Sequence, residues 1–214
     1  MWDCGLATLQ HLWQKERVTP GWAKGLRVLE LVRAFGIYGC RMLSRHDSNV
    51  AFAVPPTQGS GTGVVGLGLW MLGADVTLTD QPNILPLTEH NVGETKARNP
   101  RGSTDTVRVR EYMWGTSIAT FERPFDLILA SDVAYDHRAV DPLVKTLKSL
   151  LSEADKQGND CSVLLAYRCS DVLTPETLKA ERKFFATLTS NFCVAEVHPL
   201  STIEHVQLYS LRRQ

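Results

Sequence analysis

Gly59-Ser60-Gly61-Thr62-Gly63, then Val64 to Leu72, then Val76-Thr77-Leu78-Thr79-Asp80: this stretch decides the fold. Three alternate glycines mark a backbone that bends sharply or must approach a ligand closely. Val64 to Leu72 is a helix with a nearly all-apolar surface, so it is buried on every side. Val76 to Thr79 is a short strand that ends on the carboxylate of Asp80. Turn, helix, strand and acid in that order are the second half of a βαβ unit, whose first strand must lie upstream.

Leu26-Arg27-Val28-Leu29-Glu30-Leu31 reads as that strand. Before it, Leu6, Leu9, Leu12 and Trp13 give Asp3 to Gln14 a helical period. Downstream the alternation continues. Asn83 to Glu94 is an amphipathic helix, and Val107 to Glu111 alternates like a half-exposed strand. Phe125 to Ala130 is a strand, Asp141 to Ser152 a helix, Ser162 to Tyr167 a buried strand, and Pro175 to Asn191 a long helix. Lys96 to Thr106 and Glu153 to Asp160 read as solvated loops. Val194 to Val197 and His205 to Leu211 close the chain with too few residues between them for a helical crossover, so this pair is expected to be antiparallel. The expected fold is α/β: a Rossmann-like, mostly parallel seven-strand sheet, helices on both faces, an antiparallel last strand. Such sheets bind ligands outside the carboxyl ends of their strands. The candidate site therefore comprises the loops after Leu31, Asp80, Glu111, Ala130 and Tyr167.

Composition narrows the function. With 214 residues the chain can enclose one large core. Twenty-three basic and 23 acidic residues leave no net charge, which argues against nucleic acid as the main partner and against a polybasic membrane anchor. The longest apolar run, Val64 to Ala74, is too short to span a bilayer, which takes roughly 20 residues. Five cysteines without a ligand-spaced pattern read as reduced thiols, so the expected location is cytoplasmic, with the nucleus open. The six histidines do not cluster, and no metal is expected.

The glycines and Asp80 indicate an adenosine-containing cofactor, because a carboxylate at that strand end can accept both hydroxyl protons of a ribose. Two cofactors remain open on spacing. Gly61-Thr62-Gly63-Val64-Val65-Gly66 fits the dinucleotide fingerprint of an NAD(P)-dependent oxidoreductase. Gly59-x-Gly61-x-Gly63 fits an S-adenosylmethionine site, which the antiparallel final pair favours. A third reading is a non-catalytic binding protein on a degenerate version of the same fold.

Taken together, Trp2-Asp3, Val28-Leu29-Glu30-Leu31, Gly59 to Gly63, Leu78-Thr79-Asp80, Trp114-Gly115 and Asp126 to Tyr135 resemble the seven-strand S-adenosylmethionine-dependent methyltransferases of the protein-lysine group. The resemblance covers essentially the whole chain except Val32 to Gln58, and includes an Asp-x-x-Tyr signature, here Asp132 to Tyr135. It implies that Trp2, Glu30, Gly59, Ser60, Gly61, Gly63, Asp80, Trp114 and Ser131 line the S-adenosyl-L-methionine pocket. It implies that Asp132 orients the attacking amine and that Tyr135 forms the channel for a target lysine. The expected partner is a protein substrate, with no membrane and no nucleic acid, and the chain is expected to act as a monomer. Structural alternatives stand beside these roles: core packing for Trp2 and Trp114, helix capping for Ser131 and Asp132, and a packing role for Tyr135.

One departure from the family stands out. Its strand runs directly into its glycines, whereas here 27 residues, Val32 to Gln58, separate Leu31 from Gly59. Removing them restores Glu30-Leu31-Gly59-Ser60-Gly61-Thr62-Gly63 without a missing residue. The segment is read as an insertion at 32–58 within one methyltransferase domain over 1–214. Its ends are compatible with a retained intron: Val-Arg can be encoded with a splice-donor start, Pro-Pro-Thr-Gln with a pyrimidine-rich tract closing in CAG. An evolved surface loop is the competing origin. Closing a flexible loop of this length costs ~3 kcal/mol. Val50 to Val54 is apolar and could compete with Arg27 to Leu31 for the first strand position. Weak or absent cofactor binding by the intact chain is therefore expected. The chain is also read as N-terminally short, since the family carries a segment ahead of Trp2-Asp3 that helps cover the site.

Overall fold

Among the described residues, seven strands and five α-helices follow one another, alternating up to the third strand. The computed structural model describes residues 3–31, 63–99, 106–131, 137–168, 175–197, 203 and 205–214. Helix α1 spans Asp3–Val18, strand β1 Arg27–Leu31, α2 Val64–Met71 and β2 Asp75–Asp80. There follow α3 Leu85–Arg98, β3 Val107–Glu111, a 3-10 turn η1 at Ile118–Thr120, and β4 Leu127–Ser131. Helix α4 covers His137–Lys156, β5 Ser162–Arg168, α5 Pro175–Asn191, β6 Phe192–Val197 and β7 Val206–Arg213. The sheet order is β3-β2-β1-β4-β5-β7-β6. Strands β1 to β5 pair in parallel, and β7 pairs antiparallel with both β5 and β6. The short link before β7 forced that antiparallel insertion, as the sequence predicts.

Strand alternation sorts the core into two layers. Leu29, Leu31, Ile128, Ala130, Val163 and Leu165 face α4 and α5, where Leu143, Leu147, Phe184 and Leu188 are fully buried against them. Val28, Val76, Leu78, Leu129 and Leu164 face the other way, toward α1, α2 and Val92 of α3. Helices α1 and α2 cross closely because glycines stand at the contact. A Cβ on Gly68 would lie 2.2 Å from Leu9 Cδ1, and one on Gly5 3.3 Å from Val64 Cγ1.

Strand β1 sits in the middle of the sheet, paired with both β2 and β4. The expected competition for its position by Val50 to Val54 has left it in place; residues 50–54 themselves lie outside the described residues. Two helices run longer than their apolar periods predict. Helix α3 continues to Arg98, past the expected loop start at Lys96, and carries an Arg98–Glu94 pair at 2.9 Å one turn apart. Helix α4 opens at His137 rather than Asp141, so that Pro142 lies in its second turn, and it continues to Lys156.

Candidate functional site

The strand order reverses direction at β1 and β4: from β1 the chain steps outward to β2 and β3, and from β4 it steps the other way. In sheets of this kind a ligand binds in a crevice outside the carboxyl ends of the two strands at which the order reverses, here Leu31 and Ser131. The residues around these strand ends define the candidate site.

Gly63 opens α2 with φ 65°, the left-handed region that favours glycine. It is also pressed onto β2, since a Cβ there would lie 2.7 Å from Leu78 Cδ1. Gly63 is thus seated two residues from the Asp80 strand end. Glu30, completely buried, places Oε2 2.7 Å from the Gly66 backbone nitrogen and accepts its hydrogen bond. Gly66 is the third residue of α2, so its N–H is one of those without a partner inside the helix. A carboxylate there also meets the positive end of the helix dipole. Glu30 therefore ties β1 to the start of α2 across the sequence gap between them. Thr79 Oγ1 donates to the Glu30 carbonyl at 2.8 Å and locks β2 to β1 at the same level.

Asp80 is fully buried at the end of β2, and its Oδ1 accepts from the Gln81 backbone N–H at 2.7 Å. The neighbouring wall follows β3. Tyr112 N–H donates to the Asp80 carbonyl at 3.0 Å, which leads the chain to Trp114. Trp114 is 8% exposed and packs in the core layer under α4, so the core-packing alternative describes its surroundings. Gly115 takes φ 82°, and its N–H donates to Thr146 Oγ1 at 2.8 Å, pinning the turn to α4. Met113, between Tyr112 and Trp114, is 58% exposed and was not singled out from the sequence. A large apolar side chain left in solvent between two buried aromatics was the available signal.

Ser131 ends β4, 3% exposed, with its Oγ 3.5 Å from Thr8 Oγ1 of α1. Thr8 donates its own hydroxyl proton to the Cys4 carbonyl at 2.7 Å. Helix α4 is described from His137, and residues 132–136, on which the capping alternative for Ser131 turns, lie outside the described residues. Asp3 and Arg168 form an ion pair at 3.0 Å between the start of α1 and the end of β5. Helix α1 is thus held at the carboxyl ends of β4 and β5. Thr8 and Arg168 escaped the sequence reading because the helical period registers apolar residues only.

Glu30, Gly63, Asp80, Trp114 and Ser131 are thereby placed at the carboxyl ends of β1 to β4. Trp2, Gly59, Ser60, Gly61, Asp132 and Tyr135 lie outside the described residues. Among the described residues no group of three His, Cys, Asp or Glu is arranged to hold a metal ion. No described helix is long and apolar enough to cross a membrane.

The clearest perturbed ionisations lie at the opposite ends of the strands. Burial opposes the charge on Asp126, but hydrogen bonds from the Arg27 side chain and backbone outweigh it and hold the carboxyl below its usual range. Burial, with Asp126 nearby, pushes the Cys161 thiol up to about 12.

The fold is that of Rossmann-like methyltransferases. The magnesium protoporphyrin IX methyltransferase from Synechocystis PCC 6803, solved with bound SAH, superposes with a TM-score of 0.54 at 14% identity, over 98% of this chain and 85% of that one. A family model described as lysine methyltransferase matches residues 57–191, and the chain belongs to that family. Among curated relatives, the protein N-lysine methyltransferase METTL21A of Danio rerio is 33% identical over 141 residues, 65% of this chain and 57% of that protein. The protein-lysine N-methyltransferase EFM6 of Saccharomyces cerevisiae is 30% identical over 163 residues, 69% of this chain and 59% of that protein. The chain thus spans a little over half the length of these relatives.

Proposed function

We propose that the chain is an S-adenosyl-L-methionine-dependent methyltransferase that modifies a lysine side chain of a protein substrate, and that residues 32–58 impair it. The observation that carries this reading is the seating of Gly63 on Leu78, two residues before the buried Asp80, with the Glu30 carboxylate tying β1 to the start of α2. Family membership supports it, as do the names of the relatives.

The donor set fits the cofactor. Asp80 offers a carboxylate for ribose hydroxyls and Ser131 a hydroxyl at the switch point, while Trp114 packs in the core beside them. When bound, the cofactor supplies an electrophilic methyl group on a sulfonium. The chain's own work is alignment and exclusion of water. Glu30 and Thr79 fix the strand ends, so the crevice has one geometry. In this proposal Asp132 accepts the proton side of the incoming amine and orients it, and Tyr135 walls the channel it enters through. Burial of that amine lowers its pKa and helps it shed its proton before attack.

The NAD(P)-dependent alternative loses ground on topology. Dinucleotide sheets run 3-2-1-4-5-6 with parallel strands. Here an antiparallel β7 is inserted between β5 and β6. A reducing compartment is proposed from the cysteines: Cys4, Cys161 and Cys193 are free thiols among the described residues. The deciding experiment incubates the intact chain, a variant lacking 32–58, and that variant with Asp132→Ala in cell extract with a radiolabelled methyl donor. Label should enter protein with the deletion variant, much less with the intact chain, and not with Asp132→Ala. Label in no sample, with all three folded, defeats the proposal.

A further inference from the structure

Among the described residues, no helix covers the α4 side of β2 and β3, because η1 replaces one between β3 and β4. Residues of β3 alternate across the sheet: Val107 turns toward the α3 layer, which leaves Arg108 and Arg110 on the uncovered side. With Arg27 and Arg123 they surround a shallow hollow that also contains Asp75 and Glu122. The pairing is uneven. Arg27 is held by Asp126 at 2.7 Å, outside the hollow. Asp75 serves two arginines, Arg108 through one oxygen and Arg123 through the other at 3.6 Å. Arg123 is 62% exposed, and Arg110, also exposed, has no ion pair among the described residues. With Arg27 taken by Asp126, three guanidinium groups face two carboxylates in the hollow, on a chain with no net charge overall.

We infer that this face docks an acidic polypeptide segment, with Arg110 and Arg123 as the groups that meet its carboxylates. Guanidinium forks bind carboxylates bidentately, and two of them here are incompletely neutralised. Asp75 and Glu122 interrupt the positive surface, which suits a peptide with spaced carboxylates better than a continuous phosphate backbone. The hollow runs from Arg27 and Asp75 at the amino ends of β1 and β2 to Arg110. Arg110 pairs in register with Thr79, and Glu111 with Asp80. Arg110 therefore stands about one residue spacing, roughly 3.4 Å along the strand, before the level of Asp80. The inference stands without any methyl transfer.

Fluorescence anisotropy tests it on the full chain with a fluorescein-labelled oligoglutamate peptide at low salt. The intact chain should bind, and Arg110→Glu with Arg123→Glu should weaken binding ~10-fold or more. Both positions are exposed and leave the Arg27–Asp126 and Arg108–Asp75 pairs intact, and an unchanged melting temperature confirms that the variant folds. Lys148→Glu with Lys156→Glu, on a different hollow, is the control and should change little. No binding by the intact chain, equal loss in the control, or tighter binding of a labelled single-stranded RNA would each overturn the inference.

Discussion

Replacing Gly63 by alanine loads two costs on one atom. The residue sits at φ 65°, where an L side chain is strained by roughly 1–2 kcal/mol. Its new Cβ would lie 2.7 Å from Leu78 Cδ1, and Leu78 is fully buried. Overpacking of that kind costs about 1–3 kcal/mol. Alanine also restricts the unfolded chain, which returns about 0.4–1 kcal/mol. The net loss should be roughly 2–4 kcal/mol, a melting shift of roughly 4–16 °C for a chain of this size. Gly25→Ala separates the two costs. Gly25 has φ 77° but nothing within 4 Å of its Cβ position, so it carries the backbone cost alone, about 0.5–1 kcal/mol. Urea unfolding of both variants, with calorimetry for the midpoints, measures the difference. If Gly63→Ala costs no more than Gly25→Ala, the turn is not seated on β2 and the crevice as described does not form.

Two further outcomes follow from ionisation. Asp126 is held below its usual range, near 4, so its bond to Arg27 stabilises the fold above that value and is lost as pH falls through the depressed one. Asp126→Asn should lower the urea midpoint near pH 6 and flatten its decline toward pH 3; an unchanged decline would show that the pair contributes nothing to acid sensitivity. Cys161, pushed up to about 12, should resist maleimide at pH 8 in the folded protein, whereas exposed Cys193 reacts at once. Peptide mass mapping distinguishes them, and equal labelling would contradict the burial of Cys161.

The strand–turn–helix–strand core was legible because local pattern and tertiary role agree there. Arg27 to Leu31 alternates between two core layers, and Gly63 is needed both for its torsion and for Leu78. Helix ends were less legible, because polar residues extend them. Lys96 to Arg98 looks like a loop, yet belongs to α3, where Arg98 pairs with Glu94. His137 to Val140 precede a proline that suits an early turn of α4 rather than its first residues. The walls of the site were illegible wherever one residue is placed by another far along the chain. Thr146 fixes the turn after Trp114 from 31 residues away, and Thr8 meets Ser131 across 123. No local period reports either contact. Glu30 also accepts from the N-terminal turn of α2, a contact that only the packed structure reveals.

The central claim is that the crevice between β1 and β4 holds an adenosine-bearing cofactor and that the segment at 32–58 weakens its hold. Titration calorimetry with S-adenosylhomocysteine measures this directly on the intact chain, on the variant lacking 32–58, and on that variant with Asp80→Ala. The deletion variant should bind at micromolar concentration, the intact chain ~10-fold more weakly or worse given ~3 kcal/mol of loop closure, and Asp80→Ala should bind poorly. A folded deletion variant that gives no binding heat, or one indifferent to Asp80→Ala, would contradict the account.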